Sequence, residues 1–269
     1  MFIRIPYWKA QGAGNDFLMS WSADAGGLCW EAISRAICDR HRGIGADGWY
    51  VVEPLRDPGS NGPVASAHLF NSDGSRAELS GNGTRCVAAM LIAEGLAGPN
   101  VEIVTGAGPR KLRLLERRQL EFSFEMAMGT PRWNPGQITV DLPLRRRPVR
   151  VAVVNVGNPQ AVAFVEDFPP DWREVAAEIE CHKFFPQRTN VSFVRIIAPG
   201  HLEARFYERG AGETLSSGTG ATGAAVAGIL CGKVQSPVQV DTPAGPLMVR
   251  WEDQVYLTGP TTLIGKGEF

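Results

Sequence analysis

Ser80-Gly81-Asn82-Gly83 and Ser217-Gly218-Thr219-Gly220 are the stretches that decide how this 269-residue chain is built. Each follows residues that carry carboxylates, Glu78 in the first case and Glu208 and Glu213 in the second. Each leads into small apolar residues, Val87-Ala88-Ala89 and Ala224-Ala225-Val226. A Ser-Gly-X-Gly turn entering a helix leaves backbone N–H groups free and presents the positive end of the helix dipole. That combination is a carboxylate or phosphate site. The two stretches lie 137 residues apart (217 − 80). Gly14-Asn15 and Gly157-Asn158, in the same order, lie 143 apart (157 − 14). The spacing predicts two similar halves facing each other, divided near 118–125, with the final strand returning to the first half. Chance likeness in a chain with 31 glycines is the competing explanation. Two helix starts aimed at one small anion from opposite sides suit removal of a proton from one face of a carbon and delivery to the other.

Composition narrows the function. The chain is 44% hydrophobic and 20% charged, enough for an ordinary globular core. Lys and Arg number 27 against 28 Asp and Glu, a formal net charge of −1, which argues against a strongly basic nucleic-acid binder. There is no apolar run of about 18 residues to span a membrane. Met1-Phe2-Ile3-Arg4-Ile5-Pro6 lacks the apolar segment and cleavage site of a leader. A cytoplasmic protein is therefore expected. The five cysteines, Cys29, Cys38, Cys86, Cys181 and Cys231, form no CxxC pair, and the four histidines are dispersed, so neither a disulfide framework nor a metal site is expected.

Short runs rich in β-branched and aromatic residues predict strands at 49–53, 67–70, 101–104, 120–124, 151–154, 191–196, 202–207, 238–241, 247–251 and 255–257. Helices are expected at 30–38, 85–94, 172–178 and 221–230. Many strands and few helices predict an α+β fold, not a regular βαβ array. Two stretches fit G-x-G-x-x-G. Gly43 to Gly48 has polar residues before it and a strand after it, the reverse of what dinucleotide binding requires. Gly218 to Gly223 precedes a helix, yet its counterpart at Ser80 breaks the pattern and no second βαβ unit is visible.

Further stretches resemble the diaminopimelate epimerase family. They are Lys9-Ala-Gln-Gly-Ala-Gly-Asn-Asp-Phe17, Cys38-Asp-Arg-His-Arg-Gly-Ile-Gly-Ala-Asp-Gly48 and Phe70 to Arg85. Gly157-Asn158-Pro159, Arg188-Thr189-Asn190, Tyr207 to Gly220 and Val255 to Pro260 continue the series in order. The resemblance implies an α+β fold of two pseudo-symmetric β-rich domains, each wrapped on a central helix, with the active site in the cleft between them. It sets the domains at 1–120, rejoined by 259–269, and 121–258. It implies a homodimer that inverts one α-carbon of LL-diaminopimelate to the meso form, for lysine and peptidoglycan synthesis, without cofactor or metal. Its partner is a small amino-acid substrate, not nucleic acid or membrane.

The same resemblance assigns residues. The catalytic positions, cysteines in the family, are Ser80 and Ser217. Substrate-binding positions are Asn15, Asn71, Gly81, Asn82, Asn158, Asn190, Glu208, Arg209, Gly218 and Thr219. Gln160, where the family has histidine, and Glu208 fall at positions that tune the catalytic groups. A serine hydroxyl is a far weaker acid than a thiol and needs a neighbouring base, for which Glu78, Glu208 and Glu213 are the candidates. Plain helix-capping hydroxyls are the simpler role for both serines. The departures at all three positions leave two other functions open: an isomerase or dehydratase on another amino acid, such as a proline derivative, and a protein that only binds its amino acid.

Overall fold

The computed structural model describes residues 4–55 and 62–269. Met1–Ile3, part of the stretch inspected for a leader, and residues 56–61 lie outside the described residues. Two compact units divide the chain: Met1–Met126 with Gly259–Phe269, and Ala127–Thr258.

In the first unit β1 (Pro6–Gly12) and β2 (Asn15–Trp21) form a hairpin. Then come α1 (Trp30–Ile37), β3 (Gly48–Pro54), β4 (Ala65–Asn71) and β5 (Arg76–Ala77). After these follow α2 (Gly81–Ala93), β6 (Asn100–Thr105), β7 (Gly108–Arg118) and β8 (Glu121–Gly129), whose last residues enter the second unit. That unit adds β9 (Thr139–Leu142), then repeats the order: β10 (Val149–Asn155), β11 (Pro159–Phe164), α3 (Trp172–Glu180), β12 (Asn190–Ala198), β13 (His201–Glu208) and β14 (Gly212–Thr214). It continues with α4 (Gly218–Leu230), β15 (Val238–Thr242), β16 (Gly245–Trp251) and the start of β17 (Val255–Glu268). The remainder of β17 pairs antiparallel with β1, from Pro6↔Glu268 to Gln11↔Thr262. The first joint lies inside β8, after Met126, six residues beyond the β7–β8 turn at Gln119 and Leu120.

Strand pairings repeat as well. Parallel pairs occur where a helix lies between the strands: β2–β3 and β4–β6 in one unit, β11–β12 and β13–β15 in the other. A parallel pair requires such a crossover, whereas hairpins suffice for the antiparallel remainder.

The centre of each unit is a helix with no polar stripe. Gly81 to Leu91 of α2 are all buried, as are ten residues of α4 between Gly218 and Gly228. Their few polar groups, Asn82, Thr84 and Arg85 in α2 and Thr222 in α4, are buried with them, so their hydrogen-bond partners lie inside the protein. α4 packs against β10, β11, β12, β13, β15 and β16, and α2 against β1, β2 and β6. Small residues set the approach distance. A Cβ on Gly83 would lie 2.5 Å from Tyr50 Cε2, and one on Gly220 would lie 2.6 Å from Phe206 Cδ1. Both rings are buried and cannot swing away. Gly83→Ala is therefore expected to cost about 1–3 kcal/mol. A thermal melt checks this, and an unchanged midpoint would contradict the packing described.

Candidate active site

Both Ser-Gly-X-Gly turns start helices. Ser80 is the N-cap of α2, with extended backbone (φ −123°, ψ 121°), and its Oγ accepts from Gly83 N at 3.1 Å. Ser217 is the N-cap of α4 (φ −138°, ψ 119°), and its Oγ accepts from Gly220 N at 3.0 Å. The capping hydroxyl satisfies one of the free donors of the first turn and leaves others available.

The surroundings of the two serines differ. Ser217 Oγ also donates to Glu208 Oε2 at 2.9 Å, and Glu208 Oε1 accepts from Thr214 Oγ1 at 2.8 Å. The turn from β13 into β14 brings these three residues together. Burial pushes the Glu208 carboxyl above the ordinary carboxylate range, and the hydrogen bonds from Thr214 and Ser217 only partly oppose it. Of the three candidate glutamates, Glu78 is exposed and Glu213 is held by Arg173 at 2.5 and 2.9 Å. Glu208 is thus the one that hydrogen-bonds a serine. Among the described residues, no carboxylate hydrogen-bonds to Ser80.

Two residues after Ser80, Asn82 enters a different network. Asn82 Nδ2 donates to Asn15 Oδ1 at 2.8 Å, and Asn15 Nδ2 donates to Asp47 Oδ2 at 3.0 Å. Arg40 Nη2 bridges Asp47 at 2.8 Å and Asp16 at 2.6 Å, and Lys9 Nζ reaches Asp16 at 2.6 Å. Burial raises the Asp16 carboxyl, but hydrogen bonds from Arg40 and Lys9 outweigh it and hold the group below its ordinary value. At the inner end, Arg85 Nη2 donates to Asn82 Oδ1 at 2.6 Å. Asn71 stands apart from this chain: its Nδ2 donates to Ser75 Oγ at 2.9 Å, within its own turn.

In the second unit Asn158 Nδ2 donates to Thr219 Oγ1 at 3.3 Å, the counterpart of the Asn15–Asn82 contact. Gln160 Nε2 donates to Asn158 Oδ1 at 2.7 Å. The Gln160 side chain therefore orients Asn158 and bonds to neither serine. It is fully buried against α4, where a Cβ on Gly223 would meet its Cγ at 2.7 Å. Across the parallel β11–β12 pair Gln160 faces Asn190, whose Nδ2 donates to Pro159 O at 3.2 Å. Asn190 Oδ1 accepts from Arg209 N at 3.0 Å. The exposed Arg209 side chain rests on Gln187 O at 3.1 Å. Buried Glu180 steadies this corner, accepting from Arg188 Nη2 at 2.5 Å and Gly210 N at 3.2 Å.

The cysteines take no part. Burial raises the Cys86 thiol to about 12 and the Cys38 thiol to about 11. Cys231 caps the far end of α4 from Ser217. Sequence reasoning missed Asp47, Thr214, Glu180 and Arg85 as supporting groups. Asp47, Arg85 and Thr214 stand inside the motifs quoted above, but nothing in a linear pattern says which side chains turn inward.

Among the described residues no helix is long and apolar enough to cross a membrane. The family model described as diaminopimelate epimerase matches residues 7–134 and 152–264. A diaminopimelate epimerase of Xanthomonas euvesicatoria is 37% identical over 281 residues, covering 99% of this chain and 96% of the relative. One from Microcystis aeruginosa is 37% identical over 285 residues, covering 98% and 99%. Among solved structures, a probable proline racemase from Agrobacterium radiobacter superposes with a TM-score of 0.73 at 15% identity, over 98% of this chain and 92% of that one. A PhzF-family phenazine biosynthesis protein from Bacillus anthracis gives 0.72 at 16%, over 100% and 99%. Those distant likenesses establish the fold. With matches in both halves and relatives more than a third identical over nearly their whole length, the chain belongs to the diaminopimelate epimerase family.

Proposed function

We propose that this protein is a cofactor-independent epimerase that converts LL-diaminopimelate to the meso form, with Ser80 and Ser217 at the two proton-transfer positions. The names of its relatives support the substrate. One observation carries the chemistry: the Ser217 hydroxyl donates to a half-buried carboxyl whose proton affinity desolvation has raised. Serine alone is too weak a base for a C–H bond, but a serine backed by Glu208 forms a relay. The α-carbon gives its proton to Ser217 Oγ as the Ser217 proton passes to Glu208, and the electron pair stays on the α-carbon. Ser80 then donates its hydroxyl proton to the opposite face. Exchange with water returns one proton to Ser80 and removes one from Glu208, so the cycle closes without redox change. Asn15, Asn71, Gly81, Asn82, Asn158, Asn190, Arg209, Gly218 and Thr219 hold the substrate, its reacting carboxylate lying at the helix starts. Arg209 suits the distal carboxylate through its two-pronged guanidinium. In this reading the enzyme is a cytoplasmic homodimer serving lysine and peptidoglycan synthesis.

A second reading draws on the inequality of the two serines. Ser80 lacks the carboxylate that Ser217 has, which favours proton removal on one face only, as in an isomerisation or dehydration of another amino acid. Proton NMR with LL-diaminopimelate in D2O, beside calorimetric titration, separates the possibilities. Loss of the α-proton signal with appearance of the meso form is expected. Exchange without inversion favours one-sided chemistry, binding without exchange a binding protein, and no binding overturns the substrate.

A further inference from the structure

Glu180 is a carboxylate sealed inside the second unit, with 2% of its surface exposed. It is the last residue of α3, a helix with no basic residue in its final turn. A carboxylate there meets the negative end of the helix dipole. A buried charge is also costly unless it is paired and hydrogen-bonded. Neither the helix nor burial therefore explains a glutamate at this place, and its partners do. Oε2 accepts from Arg188 Nε at 3.1 Å and from Arg188 Nη2 at 2.5 Å, which leaves Oε1 to accept from Gly210 N at 3.2 Å. The backbone oxygen of Glu180 accepts from Thr189 N at 3.1 Å.

Those bonds converge on two residues of the expected substrate set. Arg188 and Thr189 lead directly into Asn190, and Gly210 directly follows Arg209. Asn190 and Arg209 are themselves joined, Asn190 Oδ1 accepting from Arg209 N at 3.0 Å. The Arg209 side chain returns to the same loop, its Nη1 donating to Gln187 O at 3.1 Å. One carboxylate thus holds the chain on both sides of the Asn190–Arg209 contact. At Arg188 it does so against a backbone preference: φ is +61°, in the left-handed region that a residue with a side chain seldom enters.

We infer that Glu180 is a positioning residue that sets the reach of Arg209, and with it the preference of this chain for a ligand carrying a second carboxylate at its far end. Sealed from solvent, it acts by fixing the loop 187–190 and the peptide after Arg209 against one another. The inference deepens the functional reading above and rests on it for the ligand and for the role of Arg209. The positioning itself is testable without any ligand.

Exchange of backbone amides with water in ligand-free, 15N-labelled protein is the first measurement. Glu180→Gln keeps the shape of the side chain and removes the charge that holds Arg188. The Gly210 and Arg209 amides are both expected to exchange about tenfold faster or more, while amides in α4 keep the wild-type rate and report that the variant is folded. A purely local role would free Gly210 alone, so an unmoved Arg209 amide overturns the inference. Should Glu180→Gln not fold, Glu180→Asp carries the test, since its carboxylate stays charged but falls one methylene short of Gly210. Calorimetric titration is the second measurement. L-lysine shares with LL-diaminopimelate everything except the far carboxylate. The wild-type preference for LL-diaminopimelate over L-lysine is expected to shrink about tenfold in the variant, with the affinity for L-lysine unchanged. Equal losses for the two ligands overturn the inference. If the wild type binds neither ligand while both amides are freed in the variant, the positioning stands and the substrate assignment fails.

Discussion

Glu208→Gln is expected to lower α-proton exchange by about 10²–10⁴-fold, the contribution of a positioned general base. The replacement is nearly isosteric, and its amide oxygen can still accept from Ser217, so the hydroxyl remains in place while the proton sink is lost. The pH profile supplies a signature that misfolding cannot imitate. Glu208 must be ionised to accept a proton, and burial holds its affinity above the ordinary carboxylate range. Wild-type exchange should rise with pH through that elevated value, and the variant should lose this limb. Stability gives the opposite trend. A carboxyl whose affinity is raised by folding contributes stability at low pH and loses it as pH rises through the folded value. Above that value the variant should be no less stable than the wild type. An exchange rate within threefold of wild type would remove Glu208 from the chemistry.

The parts of this structure that were legible in the sequence are those with a local chemical cause. Ser80 and Ser217 announce helix starts because a hydroxyl followed by glycines caps a first turn, and the small residues after them fit only an enclosed helix. The sequence placed the helices at 85–94 and 221–230, whereas α2 and α4 begin at Gly81 and Gly218. The glycines, read as turn residues, form the first turn itself. β7 was missed because its side chains are mostly exposed and charged, with Leu112 its single buried position, so no alternation is visible. β1 hides for a related reason, since only two of its seven residues, Ala10 and Gly12, are fully buried. The hydrogen-bond network around the expected site residues was not legible. Choosing Glu208 over Glu78 and Glu213 required the β13–β14 turn to be folded. Gln160 was read as a tuning group by position, but its amide runs to Asn158. The bond from Arg85 to Asn82 could not be seen, because which side chains of an enclosed helix meet is a property of the packed state alone.

The largest gain in rate is expected from Ser80→Cys combined with Ser217→Cys. A thiol titrates near 8.5, so a few per cent is thiolate at neutral pH, and a helix N-terminus lowers that value further. Serine has no comparable ionised fraction. At position 217 the thiol would adjoin the Glu208 carboxyl, which is already poised to take a proton. At position 80 it would supply a proton donor of suitable strength where the native hydroxyl has no carboxylate beside it. Turnover of LL-diaminopimelate should rise by about a hundredfold or more, measured by α-proton exchange and meso product together. The change carries a structural cost. Both serines accept from first-turn amides, and sulfur is the poorer acceptor, so about 1 kcal/mol of capping is lost at each end. The sites lie on different helices and should add, lowering the melting midpoint by roughly 4–8 °C. Either single variant should gain much less than the pair, since inversion needs a donor and an acceptor on opposite faces of one carbon. A folded, substrate-binding double variant with the wild-type rate would shift the cause to Gln160, whose side chain holds Asn158. Gln160→His added to the two cysteines would then be the variant expected to recover turnover.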